Sequence, residues 1–236
     1  MSKSVLVNGE FQHIIKALEA YGVGIATIMP NKHLPKLVAA HADMNYFILG
    51  NQMFVAGGAE AENLRFDGYS VTELDLPGNR YPYDVICNAK PVGEHLFCSV
   101  RTIDKKITEC AIADGYKIID VRQGYAGCSI CKVNEKAIIT SDKGIADAAV
   151  KNNIDVLLID NSDILLPGYD VGFIGGCTGL LNDNQLLFTG NLDKCSIGKS
   201  MRDFCERYGV TVIELIDDKP IDVGGILMLE NGRRAV

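Results

Sequence analysis

The chain has 236 residues, of which 47% are apolar and 22% charged, and this is enough to bury a sizeable core. Its net charge of -7 argues against a generic binder of nucleic-acid backbones, which needs a basic surface. The first apolar run is too short for a signal peptide and no run approaches a membrane span, so the sequence predicts a cytoplasmic protein without membrane contact, whose eight cysteines are reduced.

A pattern of strand, strand, helix and strand recurs along the chain. The first copy lacks its first strand. Residues 4–8 are predicted to form a strand, residues 11, 14, 15 and 18 share the apolar face of a helix, and residues 23–29 form another strand. The second copy begins at residues 41–44, with predicted strands over 45–49 and 52–56, a short helix near 62–66 and a strand over 70–76.

The third copy begins at residues 82–88 and continues with a strand over 95–100, a helix capped by Asp104 and a strand over 117–121. The fourth begins at 124–131, followed by a strand over 137–140, a helix and a strand over 154–159. In the fifth, residues 168–176 and 185–190 are interpreted as strands, followed by a helix with apolar positions from 197 to 208 and a strand over 210–215.

Residues 220–229 form a last, isolated first strand, which is the strand that the N-terminal copy lacks. The sequence therefore predicts a single domain over residues 1–236, in which five units close on themselves and the C-terminal strand pairs beside residues 5–7. Such closure removes most exposed sheet edges.

Five units closed by the two chain ends resemble the pentein fold of the guanidino-group-modifying enzymes, an α/β propeller of ββαβ repeats around a central channel. Several short motifs are similar to those of an uncharacterised bacterial family with that fold: Tyr81-Pro82-Tyr83, Gln123-Gly124-Tyr125 with Cys128-Ser129-Ile130-Cys131, Ile139-Thr140-Ser141-Asp142, Leu166-Pro167-Gly168-Tyr169-Asp170 and Phe188-Thr189-Gly190-Asn191-Leu192-Asp193. The resemblance implies a cysteine nucleophile after a glycine run on the last strand. Here that position falls near Leu227 or Met228, which cannot attack an amidino carbon, whereas the acidic motif of the family falls at Asp43.

Four aspartates, Asp43, Asp84, Asp170 and Asp222, begin equivalent units, so fivefold symmetry would gather them at one mouth of the channel. Carboxylates gathered there favour a bound cation. The alternative is that each carboxylate accepts hydrogen bonds from the backbone at the start of its strand. Asn88 and Cys128 are further candidate ligand-binding residues.

The thiols suggest a second kind of chemistry. Cys128 and Cys131 have a spacing seen in metal sites, but in a predicted strand they face opposite ways and no second pair accompanies them, so buried, inert thiols are favoured over structural zinc. The prediction includes no metal or other cofactor. Cys177 follows a glycine run whose N–H groups suit an oxyanion, which makes it the candidate nucleophile, with His41 as proton carrier; the alternative is a core thiol.

The leading hypothesis is a small-molecule site at an acidic channel mouth that binds a guanidino or amidino compound, with hydrolysis by a thiol outside the usual position. The alternative is a non-catalytic binding or scaffold protein. The expected partner is a small cation and not a nucleic acid, and the sequence leaves the oligomeric state open.

Overall fold

The computed structural model describes residues 3–65 and 67–230, and five separate small sheets account for its strands. In each sheet, the first strand of a unit lies at one edge. We call these the inner strands, because residues from all five line one cavity along a common axis: β3 (Tyr46–Leu49), β7 (Lys90–Val92), β10 (Ile130–Asn134), β13 (Thr178–Asn182) and β16 (Leu227–Glu230).

The second strand of each unit pairs antiparallel with the inner strand and parallel with the third strand. The middle strands are β1 (Lys3–Asn8), β4 (Gln52–Val55), β8 (His95–Cys98), β11 (Ala137–Thr140) and β14 (Gln185–Phe188). The outer strands are β2 (Gly24–Met29), β6 (Ser70–Glu73), β9 (Lys117–Asp120), β12 (Asp155–Leu158) and β15 (Thr211–Glu214). Because parallel neighbours need a crossover, a helix joins the middle strand to the outer strand in four units. These helices are α1 (Gln12–Glu19), α3 (Lys105–Ala113), α5 (Lys143–Lys151) and α6 (Gly198–Arg207).

The two ends of the described chain meet in one sheet. β1 pairs antiparallel with β16, with Val5 opposite Met228 and Leu6 opposite Leu227. This confirms the predicted pairing of the C-terminal strand beside residues 5–7.

Packed side chains, together with a few backbone hydrogen bonds such as Ile226 N–H to the Thr178 carbonyl oxygen, join the units into a ring. Five apolar clusters each bridge two neighbouring units and together return to the start. Representative pairs, one from each cluster, are Leu6 with Tyr46, Phe47 with Leu96, Phe97 with Ile138, Ile139 with Phe188, and Leu187 with Val5. The core is therefore distributed around the ring, with each unit completing the core of its neighbours.

The second unit differs from its prediction. The helix expected near residues 62–66 is not present over the described part of that range, since β5 (Glu60–Glu62) pairs there with β2; Phe66 lies outside the described residues. The range has poor helical periodicity, and the edge of β2 provides backbone partners for an extended chain.

The starts of the units also differ from their predictions. The inner strands begin later than expected, because short helical turns precede three of them: α2 (Ala42–Asn45), α4 (Ala126–Ser129) and a 3-10 turn over Gly175–Cys177. Residues 168–174 and 222–226 are not strands. The turns crowd the axis so closely that a Cβ at Gly175 would overlap the carbonyl oxygens of Gly127 and Cys128, and glycine is required there. Over the described residues, no helix is long and apolar enough to cross a membrane.

Candidate functional site

A cavity of about 310 Å³, which we call the first cavity, opens at the end of the axis where the inner strands begin. Its polar lining is His41, Cys128, Asp170 and Asp222, and its aromatic lining is Tyr125, Tyr169 and Phe173. Most of these side chains come from the helical turns or from the segments that lead into them. The turns therefore bring residues from four units to one place.

Asp222 and His41 form a buried pair in this cavity. The carboxylate of Asp222 accepts hydrogen bonds from the N–H groups of Phe173 and Gly224, both at 2.9 Å. His41 Nδ1 lies 3.8 Å from Asp222 Oδ1. Burial lowers the pKa of His41, so the ring is neutral near pH 7 and the contact is not an ion pair. Burial raises the pKa of Asp222, whereas the nearby His41 and the two backbone donors lower it.

Glycine makes this pair possible. Gly224 has a φ of 83°, and a Cβ on it would overlap the His41 side chain. A Cβ on Gly176 would overlap the Asp222 carboxylate in the same way. Because Gly176 and Gly224 have no side chain, the backbone can approach Asp222 and His41 closely.

Cys128 is the thiol that lines the first cavity. Asn88 holds it from two sides, since Asn88 Nδ2 donates to Cys128 Sγ at 3.0 Å and Asn88 Oδ1 accepts from the Cys128 N–H at 3.1 Å. Burial raises the pKa of Cys128 well above its usual value, and the charges of Asp43 and Asp222 raise it further. The resting thiol is therefore protonated, and Asn88 is a positioning residue between units.

Asp43 lies on α2, where its N–H donates to the carbonyl oxygen of Gly224 at 3.0 Å. The side chain is only 8% exposed, and neither carboxylate oxygen has a partner of hydrogen-bond geometry among the described residues, although the Cys128 thiol lies close enough to lower its pKa. Burial, followed by the charge of Asp222, raises the pKa of Asp43 to about 7. Asp43 lines a different cavity from Asp222, although the two carboxylates are close enough for one to affect the other.

The prediction that four aspartates gather at one mouth of the channel is wrong for two of them: Asp170 and Asp222 line the first cavity, whereas Asp43 and Asp84 do not. Asp84 lies on a turn, where its Oδ2 accepts from the Tyr125 hydroxyl at 2.8 Å and its buried Oδ1 has no described partner. Asp170 lies on an exposed bend at the rim of the first cavity. The units begin with different turns and bends, so residues that align in sequence stand at different depths along the axis.

The structure contradicts the predicted role of Cys177 as the nucleophile. Cys177 ends the 3-10 turn, is fully buried in the apolar cluster of the fourth and fifth units, and its Sγ contacts the carbonyl oxygen of Phe173 at 3.4 Å. Burial raises its pKa well above the usual value, and the charge of Asp222 adds to that rise. Cys177 therefore lacks the access that a nucleophile needs.

Cys131 belongs to the same apolar cluster as Cys177, whereas Cys128 faces the first cavity, so the two neighbouring thiols point to different surroundings. Within the ranges 3–65 and 67–230, no group of three or more His, Cys, Asp or Glu side chains is placed to hold a metal ion.

An aromatic wall of the first cavity was not predicted. Tyr81 stacks on Tyr125 with ring centroids 5.4 Å apart, and Tyr125 meets Phe173 at 5.6 Å. The available signal was the clustering of tyrosines in the Tyr81-Pro82-Tyr83 and Gln123-Gly124-Tyr125 motifs. Nothing in the sequence showed that these motifs would stack, because they come from different units.

A second cavity of about 280 Å³ lies among the inner strands, beyond the helical turns. The turns form the partition: Met44 and Cys128 line the first cavity, whereas Asp43 and Gly127 line the second. Leu227 and Met228, where the resemblance places the family's nucleophile, also line the second cavity and supply only apolar atoms.

A family model described as a family of unknown function (DUF6873) matches residues 6–227. Among solved structures, the amidinotransferase SxtG from Microseira wollei matches with a TM-score of 0.56 and 11% identity, over 96% of this chain and 80% of that chain. DDAH from Pseudomonas aeruginosa matches with a TM-score of 0.56 and 10% identity, over 92% of each chain. The inosamine-phosphate amidinotransferase StrB1 from Streptomyces griseus matches with a TM-score of 0.56 and 14% identity, over 96% of this chain and 80% of that chain. No curated protein matches. These likenesses establish the pentein fold and, at such low identity, nothing finer.

Proposed function

We propose that this chain, which belongs to the DUF6873 family of unknown function, binds a small cation with a planar amidinium or guanidinium group in the first cavity. The observation that carries the proposal is the buried Asp222–His41 pair facing a cavity with an aromatic wall. The amidino- and guanidino-modifying enzymes among the similar structures support the same class of ligand.

The charge around the cavity favours a cation. Three buried aspartates, Asp43, Asp84 and Asp222, surround the helical turns, and among the described residues none of them pairs with lysine or arginine. His41 is neutral and compensates little of this charge. A bound cation would favour the ionised carboxylates that burial disfavours, and that gain contributes to its affinity.

The shape and surface of the cavity favour a planar cation with an apolar body. Tyr125, Tyr169 and Phe173 supply aromatic rings, which attract a positive charge, while Val38, Leu166 and Val171 supply apolar contacts. The Asp222 carboxylate, whose oxygens each already accept one backbone N–H, has further lone pairs that can accept hydrogen bonds from an amidinium. These features together disfavour an anion or a purely apolar ligand.

The test compares matched cations and neutral isosteres by calorimetry. Benzamidine and phenylguanidine should bind, whereas benzamide and phenylurea, which have similar shapes without the charge, should bind at least about tenfold more weakly. Asp222→Asn should remove this preference, and Asp170→Asn, at the exposed rim, serves as the matched control with a smaller effect. Because Asp222→Asn also changes two backbone hydrogen bonds, Phe173→Leu provides a second variant that should weaken cation binding in a folded protein. Equal binding of cations and isosteres would refute the proposal.

Hydrolysis of the bound compound is the second candidate function, and the observation that favours it is that Cys128 and His41 line the same cavity. In the proposed reaction, His41 accepts the Cys128 thiol proton and the sulfur bonds to the amidino carbon. The C–N bond to the leaving amine then breaks, and the amine takes the proton from His41. Water hydrolyses the resulting S-amidino intermediate and restores the thiol.

Hydrolysis requires Cys128 to lose its proton, whereas binding alone does not. Without ligand, the buried carboxylates oppose the thiolate; a bound cation would favour it. If the protein is a hydrolase, release of ammonia from benzamidine or of alkylamine from alkylguanidine probes should disappear in Cys128→Ser and persist in Cys110→Ser, which alters a partly exposed thiol on α3. Cation binding without any release of amine would identify a binding protein.

A further inference from the structure

The second cavity contains two unpartnered groups of opposite charge. Asp43 is one of its lining residues, and both oxygens of the buried Asp43 carboxylate lack a hydrogen-bond partner among the described residues. Lys90, at the start of β7, also lines it, and no hydrogen bond or ion pair engages its ammonium among residues 3–65 and 67–230. The two groups attract each other but do not come within ion-pair distance.

The neighbouring lysine is already engaged. Lys132 Nζ lies 2.6 Å from Glu135 Oε1, and the other oxygen of Glu135 accepts from the Gly93 N–H at 2.7 Å. Lys132 therefore adds positive potential beside Lys90 without competing for its hydrogen bonds. Lys90 is therefore the lysine of this cavity whose ammonium has no acidic partner within ion-pair distance among the described residues.

Much of the remaining lining is apolar. Phe47, Leu180 and Met228 contribute apolar side chains from three units, and the other polar side chains are those of Tyr46, Cys87 and Thr178. All five inner strands are sheet edges, so one side of each presents N–H and C=O groups towards the axis instead of to another strand of its own sheet. An unpaired backbone group or a buried charge is costly, and a polar ligand that satisfies them would gain that free energy.

We propose that the second cavity binds a small zwitterion with an apolar body, an apolar amino acid or close analogue, whose ammonium pairs with Asp43 and whose carboxylate pairs with Lys90. A simple anion would meet the Asp43 carboxylate, and a simple cation would meet Lys90 and Lys132. A zwitterion satisfies both charges at once and leaves its side chain against Phe47 and Leu180. The helical turns separate the two cavities, although the Asp43 carboxylate is close enough to Asp222 and Cys128 to influence the first cavity as well.

The experiment measures binding to the full chain by calorimetry with matched probes. L-Leucine, L-methionine and L-phenylalanine are the zwitterions, 3-methylbutylamine is leucine without its carboxylate, and 4-methylpentanoate is leucine without its ammonium. At least one zwitterion should bind, and the two truncated analogues of leucine should bind at least about tenfold more weakly than leucine.

Two variants assign the two charges. In Lys90→Met, leucine should lose at least about tenfold in affinity and bind no better than 3-methylbutylamine. In Asp43→Asn, leucine should bind no better than 4-methylpentanoate. Lys136→Met, in the exposed turn between β10 and β11, is the matched control and should leave leucine binding unchanged.

The outcomes are distinct. Failure of all three amino acids to bind overturns the proposal, as does unchanged leucine binding in Lys90→Met. Equal binding of 4-methylpentanoate and leucine would instead show a plain anion site and also overturn it. Benzamidine binding in Lys90→Met reports separately on the first cavity, so a failure of the zwitterion site is distinguishable from a failure of the proposed function.

Discussion

Asp43 holds a buried carboxylate without a described hydrogen-bond partner, and this makes stability depend on pH. The folded-state pKa of about 7 lies above the ordinary value of 3.8, so the folded protein binds the proton more tightly than the unfolded chain. The stability that this group contributes is therefore present below about pH 4 and is lost as pH rises towards 7.

The first prediction is that Asp43→Asn removes this dependence. Between pH 5 and pH 8 the wild type should lose stability from this group on the order of a few kcal/mol, and the variant should show a flatter dependence. Thermal unfolding at a series of pH values measures the difference. Asp183→Asn, in an exposed turn, is the control and should behave as the wild type. An identical pH dependence in Asp43→Asn and wild type would contradict the burial argument.

Asn88 joins three units through one side chain. Its Nδ2 donates to the carbonyl oxygen of Asp43 at 3.2 Å and to Cys128 Sγ at 3.0 Å, while its Oδ1 accepts from the Cys128 N–H. The second prediction is that Asn88→Ala leaves these buried groups unpaired and costs about 2–4 kcal/mol of unfolding free energy. Urea unfolding measures it, with Asn184→Ala in an exposed turn as control. A cost as small as that of the control would mean that water replaces the amide.

For individual residues, the repeat pattern correctly predicted that several polar side chains lie near the axis: His41, Asp43, Asn88, Cys128 and Asp222. Their roles could not be predicted, because a shift of one residue on a helical turn decides which cavity a side chain enters. Lys90 was missed for the same reason: a lysine at the start of a three-residue strand has no sequence signal that distinguishes an enclosed ammonium from an exposed one.

At the level of secondary structure, β16 supplies the inner strand of the first unit by pairing with β1. The third prediction is that a chain ending at residue 221 loses cooperative unfolding, because it leaves β1 as an open edge and removes Val223, Ile226 and Leu229 from the core. Circular dichroism during urea titration measures this. Addition of a peptide of residues 222–230 is the control and should restore the transition. A truncated chain that unfolds as cooperatively as the full chain would show that closure is dispensable.

Most strands were predictable because their apolar runs are short and bounded by turn residues; β11 spans the predicted 137–140, and β4, β8 and β14 begin where the sequence indicated. Asn153 takes the positive φ that glycine supplies in other units, at 59°. The helical turns were not predictable, since glycine-rich apolar segments suit a strand as well as a turn. Contacts between units, which the local sequence does not encode, decide between the two.

For the whole molecule, five clusters shared between neighbouring units mean that the units should not unfold separately. The fourth prediction concerns Phe188, which is fully buried in the cluster of the fourth and fifth units. Phe188→Ala should lower the unfolding free energy by about 3–5 kcal/mol and retain one transition. Tyrosine fluorescence and circular dichroism should give coincident curves, as the chain has nine tyrosines and no tryptophan. Two separated transitions would show that units unfold independently.

The sheets have a second set of edges, on the outside of the ring. β5, β6, β9, β12 and β15 lie there, each only three or four residues long, and each contains a glutamate or an aspartate. Short, charged edge strands resist addition of a strand from another molecule. The acidic balance of the chain thus acts against self-association where backbone groups are most available. As acid neutralises these carboxylates, this protection weakens, and aggregation through the outer edges becomes the expected route by which concentrated protein is lost from solution.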